Sequence, residues 1–293
     1  MKTYLVNIIF LTLFISSQAY CEPINARSIM KRVDDEARAT TNDAYSVIKL
    51  TSCKFGLKKG KIKCVEKPRI KVFESVQTHV GKKKLDNKAL LVIHKPTRER
   101  GFSMLSYTYD DLNIDNETWL YLSALGRIKR IAAGNSEDQS EPASLFGSEF
   151  TTEDLETGKL DEYTYSLLES TEYSGRPVWI IESTPTESKA RRSLYTKSIS
   201  WIDQERFVPL KTSTYDYRGN EVKRYQYGKI EKINDVWLAR YTTVLNLASG
   251  RLSNFDIKEI TFELDIDQQL LTQRALSDKG FREQNLARIK AQK

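Results

Sequence analysis

The chain has 293 residues, 46 basic and 39 acidic, for a formal charge of +7. Acids interrupt the basic excess almost everywhere, which argues against nucleic acid as partner and leaves anionic headgroups or an acidic protein. Its two histidines, His79 and His94, sit in strand-like stretches beside basic residues, and no nucleophile or metal-ligand set is spaced around them.

The first residues, MKTYLVNIIFLTLFISSQAYCEP, place Lys2 before an apolar run from Tyr4 to Ile15 and then small and polar residues. That is the layout of a secretory signal peptide over residues 1–21, cleaved after Ala19 or after Cys21. The run falls short of the about 20 apolar residues a spanning helix needs. Loss of the leader removes Lys2 and no acid, so +7 becomes +6. A lipid anchor on Cys21 ranks below simple secretion, because the preceding position is the bulky Tyr20.

Past the leader, INARSIMKRVDDEAR spaces Ala26, Ile29, Met30, Val33 and Ala37 as one face of an amphipathic helix. Cys53 and Cys64 form an even pair in an exported chain, which predicts a disulfide at the base of the lysine-rich hairpin KFGLKKGKIK. From Ala44 onward apolar residues recur with period two, in runs such as VWIIEST, SISWID, PLKTSTYD, VKRYQYGKI and VWLARYTTVLNL. Turn clusters at Ser174-Gly175, Arg218-Gly219, Asn234-Asp235 and Ser249-Gly250 separate them. Hairpin after hairpin predicts an antiparallel meander that closes or nearly closes into a barrel.

Between Asn135 and Tyr165 the strand signal lapses. NSEDQSEP is a polar loop, and Ser148 and Thr151 or Thr152 stand ahead of acids as caps of short helices. Gly147-Ser148 lacks the second glycine of a nucleophile elbow, and Asp111 to Asp115 lack the glycine and closing glutamate of a calcium loop. Neither Glu153 nor Asp154 has a partner carboxylate that would make a glycosidase pair. The sequence therefore points away from an enzyme, a metal or a cofactor. Four tryptophans, Trp119, Trp179, Trp201 and Trp237, lie in strand runs and either fill the barrel or line a cavity in it.

The blocks FSMLSYTYDD, TWLYLSALGRIKRIAAGNS, SLFGSEFTTEDL, GRPVWIIESTP, SISWIDQERFVPLKTSTYDYRGN and TQRAL, in order from Phe102 to Leu276, resemble the exported outer-membrane lipoprotein-sorting proteins, which are similar to the LolA and LolB carriers. Ser123, Phe146 and Glu149 depart mildly from that pattern, where proline, methionine and aspartate are usual. The resemblance implies a mainly β, α+β fold: an incomplete antiparallel barrel around a hydrophobic cavity, with short helices as a lid. It implies one such domain over residues 22–276, followed by a charged tail, helical or mobile, over 277–293. It further implies a periplasmic monomer that carries a lipid or the acyl chains of a lipoprotein. The alternative role is an adaptor of an inner-membrane, lipid-exporting RND-type transporter.

Trp119, Tyr121, Leu145, Phe146, Phe150, Trp179, Trp201 and Trp237 are the candidate cavity residues. The trio Leu145, Phe146 and Phe150 is expected at or over the mouth of the barrel. Arg127, Lys129 and Arg130 are candidates for headgroup or partner contact, against the plainer reading of a solvated strand face.

Overall fold

The computed structural model describes residues 25–131, 144–155 and 159–293, in which the period-two segments form fourteen strands. The leader, Cys21 and the polar loop from Asn135 to Pro142 lie outside the described residues. The strands are β1 (Ala44–Lys58), β2 (Lys61–Cys64), β3 (Arg69–Val80), β4 (Asp86–Lys95), β5 (Ser103–Thr108), β6 (Glu117–Leu122) and β7 (Arg127–Ile131). After a gap follow β8 (Tyr163–Tyr173), β9 (Arg176–Pro185), β10 (Lys197–Asp203), β11 (Pro209–Tyr215), β12 (Glu221–Ile233), β13 (Val236–Asn246) and β14 (Arg251–Thr261). The turns Ser174-Gly175 and Asn234-Asp235 have positive φ at both residues, 51° and 76° in the first and 46° and 64° in the second. Tight hairpins between right-twisted strands demand that conformation.

All pairings are antiparallel, in the order β7-β6-β5-β4-β3-β1-β14-β13-β12-β11-β10-β9-β8, with β2 on the distal part of β1. Pairing of β1 with β14 joins the start of the sheet to its end. The ring is therefore broken at a single place, between β7 and β8. Of the chain between those two edges, the described stretch Ser144 to Leu155 lies in the interior.

Strand β4 shows how the sheet is covered on both sides. Its run Ala89-Leu90-Leu91-Val92-Ile93 is buried throughout. Ala89, Leu91 and Ile93 point inward, with Leu50, Phe73, Met104, Tyr225 and Val244. Leu90 and Val92 point outward and pack with Tyr45, Val76, Leu105 and Trp119 against the C-terminal helices. A strand buried on both faces loses the polar half of its alternation, which is why this one reads as continuous hydrophobe.

Helix α1 (Ala26–Ala39) is capped by Asn25, whose side chain accepts from Ser28 N at 2.8 Å. Its Ala26, Ile29, Met30 and Val33 cluster with Tyr165, Trp179, Ile181 and Ile202, so it roofs the inner face of β8 to β10. Arg38 near its end reaches Asp34 at 2.6 Å, Asp110 at 2.9 Å and the Leu85 carbonyl, which fixes the helix to loops of the opposite half. A single turn, α2 (Glu187–Ala190), follows β9.

After β14 come α3 (Gln273–Ser277) and α4 (Lys279–Lys290). The charged tail is helical to Lys290, and Leu286 and Ile289 bury themselves in the outer core. Asp278 caps α4 by accepting from Phe281 N at 2.9 Å. Cys53 and Cys64 form the disulfide, with Cα atoms 5.7 Å apart. Among the described residues no helix is long and apolar enough to cross a membrane.

Glu74 fastens α4 to the sheet. Its carboxylate meets Lys290 Nζ at 2.5 Å and His94 Nε2 at 3.0 Å, and it is 8% exposed. Burial pushes its pKa up, but His94, Lys290 and the Tyr45 hydroxyl outweigh that and hold it at about 2. A depressed carboxylate stabilises the fold above its unfolded value of 4.5, and that stability drains as pH falls from about 4.5 to 2. Urea unfolding followed across pH will show this acid loss in the wild type. Glu74→Gln will make it shallower and lower stability at neutral pH by roughly 2–3 kcal/mol.

Candidate functional site

The connection between the two free edges supplies the centre of the site. Ser144 to Leu155 forms two single 3-10 turns, at Leu145–Gly147 and Glu153–Leu155, the second where Thr151 and Thr152 predict a short helix. A hairpin-like contact closes it, with Leu145 N donating to the Phe150 carbonyl at 2.8 Å. Leu145, Phe146 and Phe150 are 2%, 8% and 2% exposed and lie inside the inner core. Phe150 stacks on Phe255 at 4.0 Å, and Phe146 meets Phe73 and Phe102 edge-on at 5.4 and 5.6 Å. Phe146 adopts φ of 52°, a left-handed conformation that a bulky side chain takes only when its surroundings impose it.

The acids of this segment do more than face helix ends. Thr151 and Asp154 do make a reciprocal cap, with Thr151 N donating to Asp154 at 2.8 Å and Asp154 N donating to Thr151 Oγ1 at 3.4 Å. The same carboxylate also accepts from Lys223 Nζ and from Tyr195 Oη, each at 2.7 Å. The Asp154 and Lys223 side chains are 2% and 8% exposed, so this is a buried ion pair. Glu153 accepts from Leu194 N at 2.9 Å and from Ser193 Oγ. Glu149 meets Arg251 Nε at 3.2 Å and Asn246 Nδ2 at 2.8 Å. Three successive acids thus lock the segment to strands β12 to β14 and to the approach to β10.

Among the described residues, three cavities border this segment. The first, of about 300 Å³, lies under α1 between Met30, Val33, Tyr163, Tyr165, Tyr225 and Tyr227, with Asp154 and Tyr195 on its wall. Burial raises the Tyr195 and Tyr225 hydroxyls far above the usual phenol range, and Asp154 adds to both shifts. Burial likewise lifts Tyr227, to about 12. All three rings therefore stay neutral hydrogen-bonding groups. The second cavity, of about 210 Å³, is bounded by Phe73, Leu91, Met104, Leu145, Leu155 and Phe255. The third, of about 330 Å³, lies among Ile93, Phe102, Leu120 and Phe146, with Lys71 and Glu99 beside it.

A family model described as an uncharacterized protein matches residues 85–278. The chain belongs to this family, and its fold is that of the outer-membrane lipoprotein-sorting, LolA-like proteins. A DUF1329 family protein from Desulfovibrio piger is 24% identical, with a TM-score of 0.74 over 86% of this chain and 97% of that one. An outer membrane lipoprotein-sorting protein domain from Vibrio parahaemolyticus is 21% identical, with a TM-score of 0.70 over 86% and 98%. A LolA superfamily protein from Nitrosomonas europaea is 16% identical, with a TM-score of 0.62 over 86% and 100%. No curated protein matches.

On this LolA-like frame the sequence candidates scatter. Leu145 lines the second cavity and Phe146 the third, and Phe150 packs between halves of the sheet. Trp179 joins the inner cluster beneath α1. Trp119 and Tyr121 stand on the outer face against the C-terminal helices. Trp201 also faces outward, with Lys211 Nζ 3.9 Å above its ring, and Trp237 lies between the Arg206 and Lys232 cations at 4.9 and 5.9 Å. Arg127, Lys129 and Arg130 run along edge strand β7, with Arg130 paired to Glu117 at 2.7 Å. Charge on an exposed edge discourages pairing with another sheet.

The tyrosines and Lys223 escaped sequence reasoning. The available signal was VKRYQYGKI, where period two puts Lys223, Tyr225 and Tyr227 on one face of β12. A lysine sharing a face with two aromatics marks a buried charge in need of a partner. Among the described residues no group of three or more His, Cys, Asp or Glu could hold a metal ion. Lys223→Met, which strands the buried Asp154 charge, will destabilise the fold by about 3–5 kcal/mol in urea unfolding. The pair Lys223→Met with Asp154→Leu will recover most of that loss, since removing both charges leaves no unpaired ion.

Proposed function

We propose that this protein is a non-catalytic periplasmic binding or carrier protein for a lipid or the acyl part of a lipoprotein. The observation that carries this reading is an aromatic and aliphatic inner face that stays hollow around its central segment. Protein interiors normally pack without such voids, and ligand pockets are concave, mostly apolar and about 300–1,000 Å³. Two of the three cavities reach the lower end of that range, at about 300 and 330 Å³. A long acyl chain needs them joined, so the Ser144 to Leu155 segment gives way when ligand enters. The five tyrosines of the first cavity, with Asp154 and Lys223 beside them, suit the hydrogen-bonding ester or headgroup end of such a ligand better than its methyl terminus. The names of the Vibrio parahaemolyticus and Nitrosomonas europaea proteins agree with this reading.

Native mass spectrometry and solvent extraction of the purified protein will recover bound lipid. A fluorescent long-chain fatty acid will be displaced by that lipid. Filling the first cavity with Val33→Trp will weaken probe binding tenfold or more with the fold intact by circular dichroism. Lipid-free protein whose Val33→Trp variant binds probe like wild type would sink the carrier reading. Capture of an inner-membrane transporter by such a protein would turn it toward the adaptor role.

A further inference from the structure

The hairpin of β1 and β2 projects past the sheet. Strand β1 pairs with β3 only as far as Ser52 and with β14 only as far as Lys54, and beyond that its partner is β2 alone. The turn Lys59-Gly60, with φ of 53° and 71°, reverses the chain at the tip, and the Cys53–Cys64 disulfide closes the base. Every residue from Leu57 to Lys63 is exposed. Leu57, at 77%, is among the most exposed large hydrophobic residues of the protein, and its cross-strand partner Ile62 is 41% exposed. Val65 and Ile70, just past the base, are 63% and 46% exposed. Four large apolar side chains are thus held in water at one end of the molecule.

Lysines occupy the other face of the hairpin and its tip. Lys58 stands directly opposite Lys61, and Lys63 opposite Gly56 on the same side of the hairpin. Like charges across a strand pair destabilise it, and from Lys54 to Val65 the sequence contains no acid to compensate. The first acid, Glu66, is already engaged at the base by Lys54 N at 2.8 Å and Arg251 at 3.3 Å. Lys67, Arg69, Lys95, Arg98 and Arg100 extend the basic, exposed surface along the neighbouring rim, beside Lys71 at the third cavity. A projecting hairpin with an exposed apolar pair on one face and lysines on the other and at its tip matches a surface whose charge is negative outside and whose depth is hydrocarbon. Edge-to-edge pairing with a protein strand fits worse, because lysines along a strand edge oppose it.

We propose that this stapled hairpin docks on an anionic phospholipid surface, with Leu57 and Ile62 entering the headgroup and acyl boundary and Lys58, Lys59, Lys61 and Lys63 binding lipid phosphates. The docked rim is the one that carries the third cavity. The docking does not depend on what the cavities hold.

Sedimentation with vesicles tests it, using protein purified from the exported fraction with its N-terminus fixed by mass spectrometry. Vesicles of phosphatidylcholine with about one third phosphatidylglycerol will bind the wild type, and vesicles of phosphatidylcholine alone will not. Binding will fall steeply in high salt, as screened surface charge requires. Lys58→Gln with Lys61→Gln will lose roughly tenfold or more in partitioning, at about 1 kcal/mol per cation near the membrane. Leu57→Asn with Ile62→Asn will lose a comparable amount, and Leu57→Trp will show blue-shifted emission only with anionic vesicles. All these positions lie beyond the disulfide, so melting curves will match wild type. Equal sedimentation of wild type and both double variants would overturn the proposal. So would Leu57→Trp emission that is indifferent to vesicles, or shifts only on addition of a protein partner.

Discussion

One unpaired seam governs this structure. An antiparallel ring of strands is closed by β1 on β14 and left open between β7 and β8, so the chain must cross from one free edge to the other. Its described stretch, Ser144 to Leu155, lies in the middle. Everything that distinguishes the interior follows from that path: Phe150 against Phe255, Phe146 between Phe73 and Phe102, and an acidic run aimed at the opposite wall.

The crossing segment is held by two kinds of force that respond differently to a guest. Aromatic contacts are non-directional and can be replaced by an acyl chain at little loss. The Asp154 to Lys223 pair, with Tyr195 as a further donor, is directional and buried, and breaking it without a substitute partner is costly. A ligand that brings its own polar group can offer that substitute, whereas a plain hydrocarbon cannot. Under the proposed carrier function, the arrangement therefore favours an amphipathic guest over an alkane. The left-handed Phe146 adds local strain to the segment.

The outer face answers a separate problem. Half of the sheet would expose Tyr45, Val76, Leu90, Val92, Leu105 and Trp119 to water, and the C-terminal helices cover them. Charges at the seam of that packing, with Glu74 joined to Lys290 and His94, fix the helix in place. Two of the aromatics that a sequence reader would assign to a cavity, Trp119 and Tyr121, belong to this cover. The stability of the shell is thereby separated from whatever happens inside it.

Period two, punctuated by residues that tolerate positive φ, was enough to determine the strands and the hairpin order, and the even pair Cys53 and Cys64 the disulfide, because those depend on neighbours a few residues apart. The amphipathic face of α1 was legible for the same reason. Alternation divides a strand into two faces but does not say which is inward, so Trp119 and Trp179 look alike in sequence and end on opposite sides of the sheet. The same limit hid Lys223, which meets Asp154 from 69 residues away. Only the tertiary fold brought the crossing segment against β12, where a low dielectric makes an ion pair necessary, and there the tertiary structure decided what the site contains.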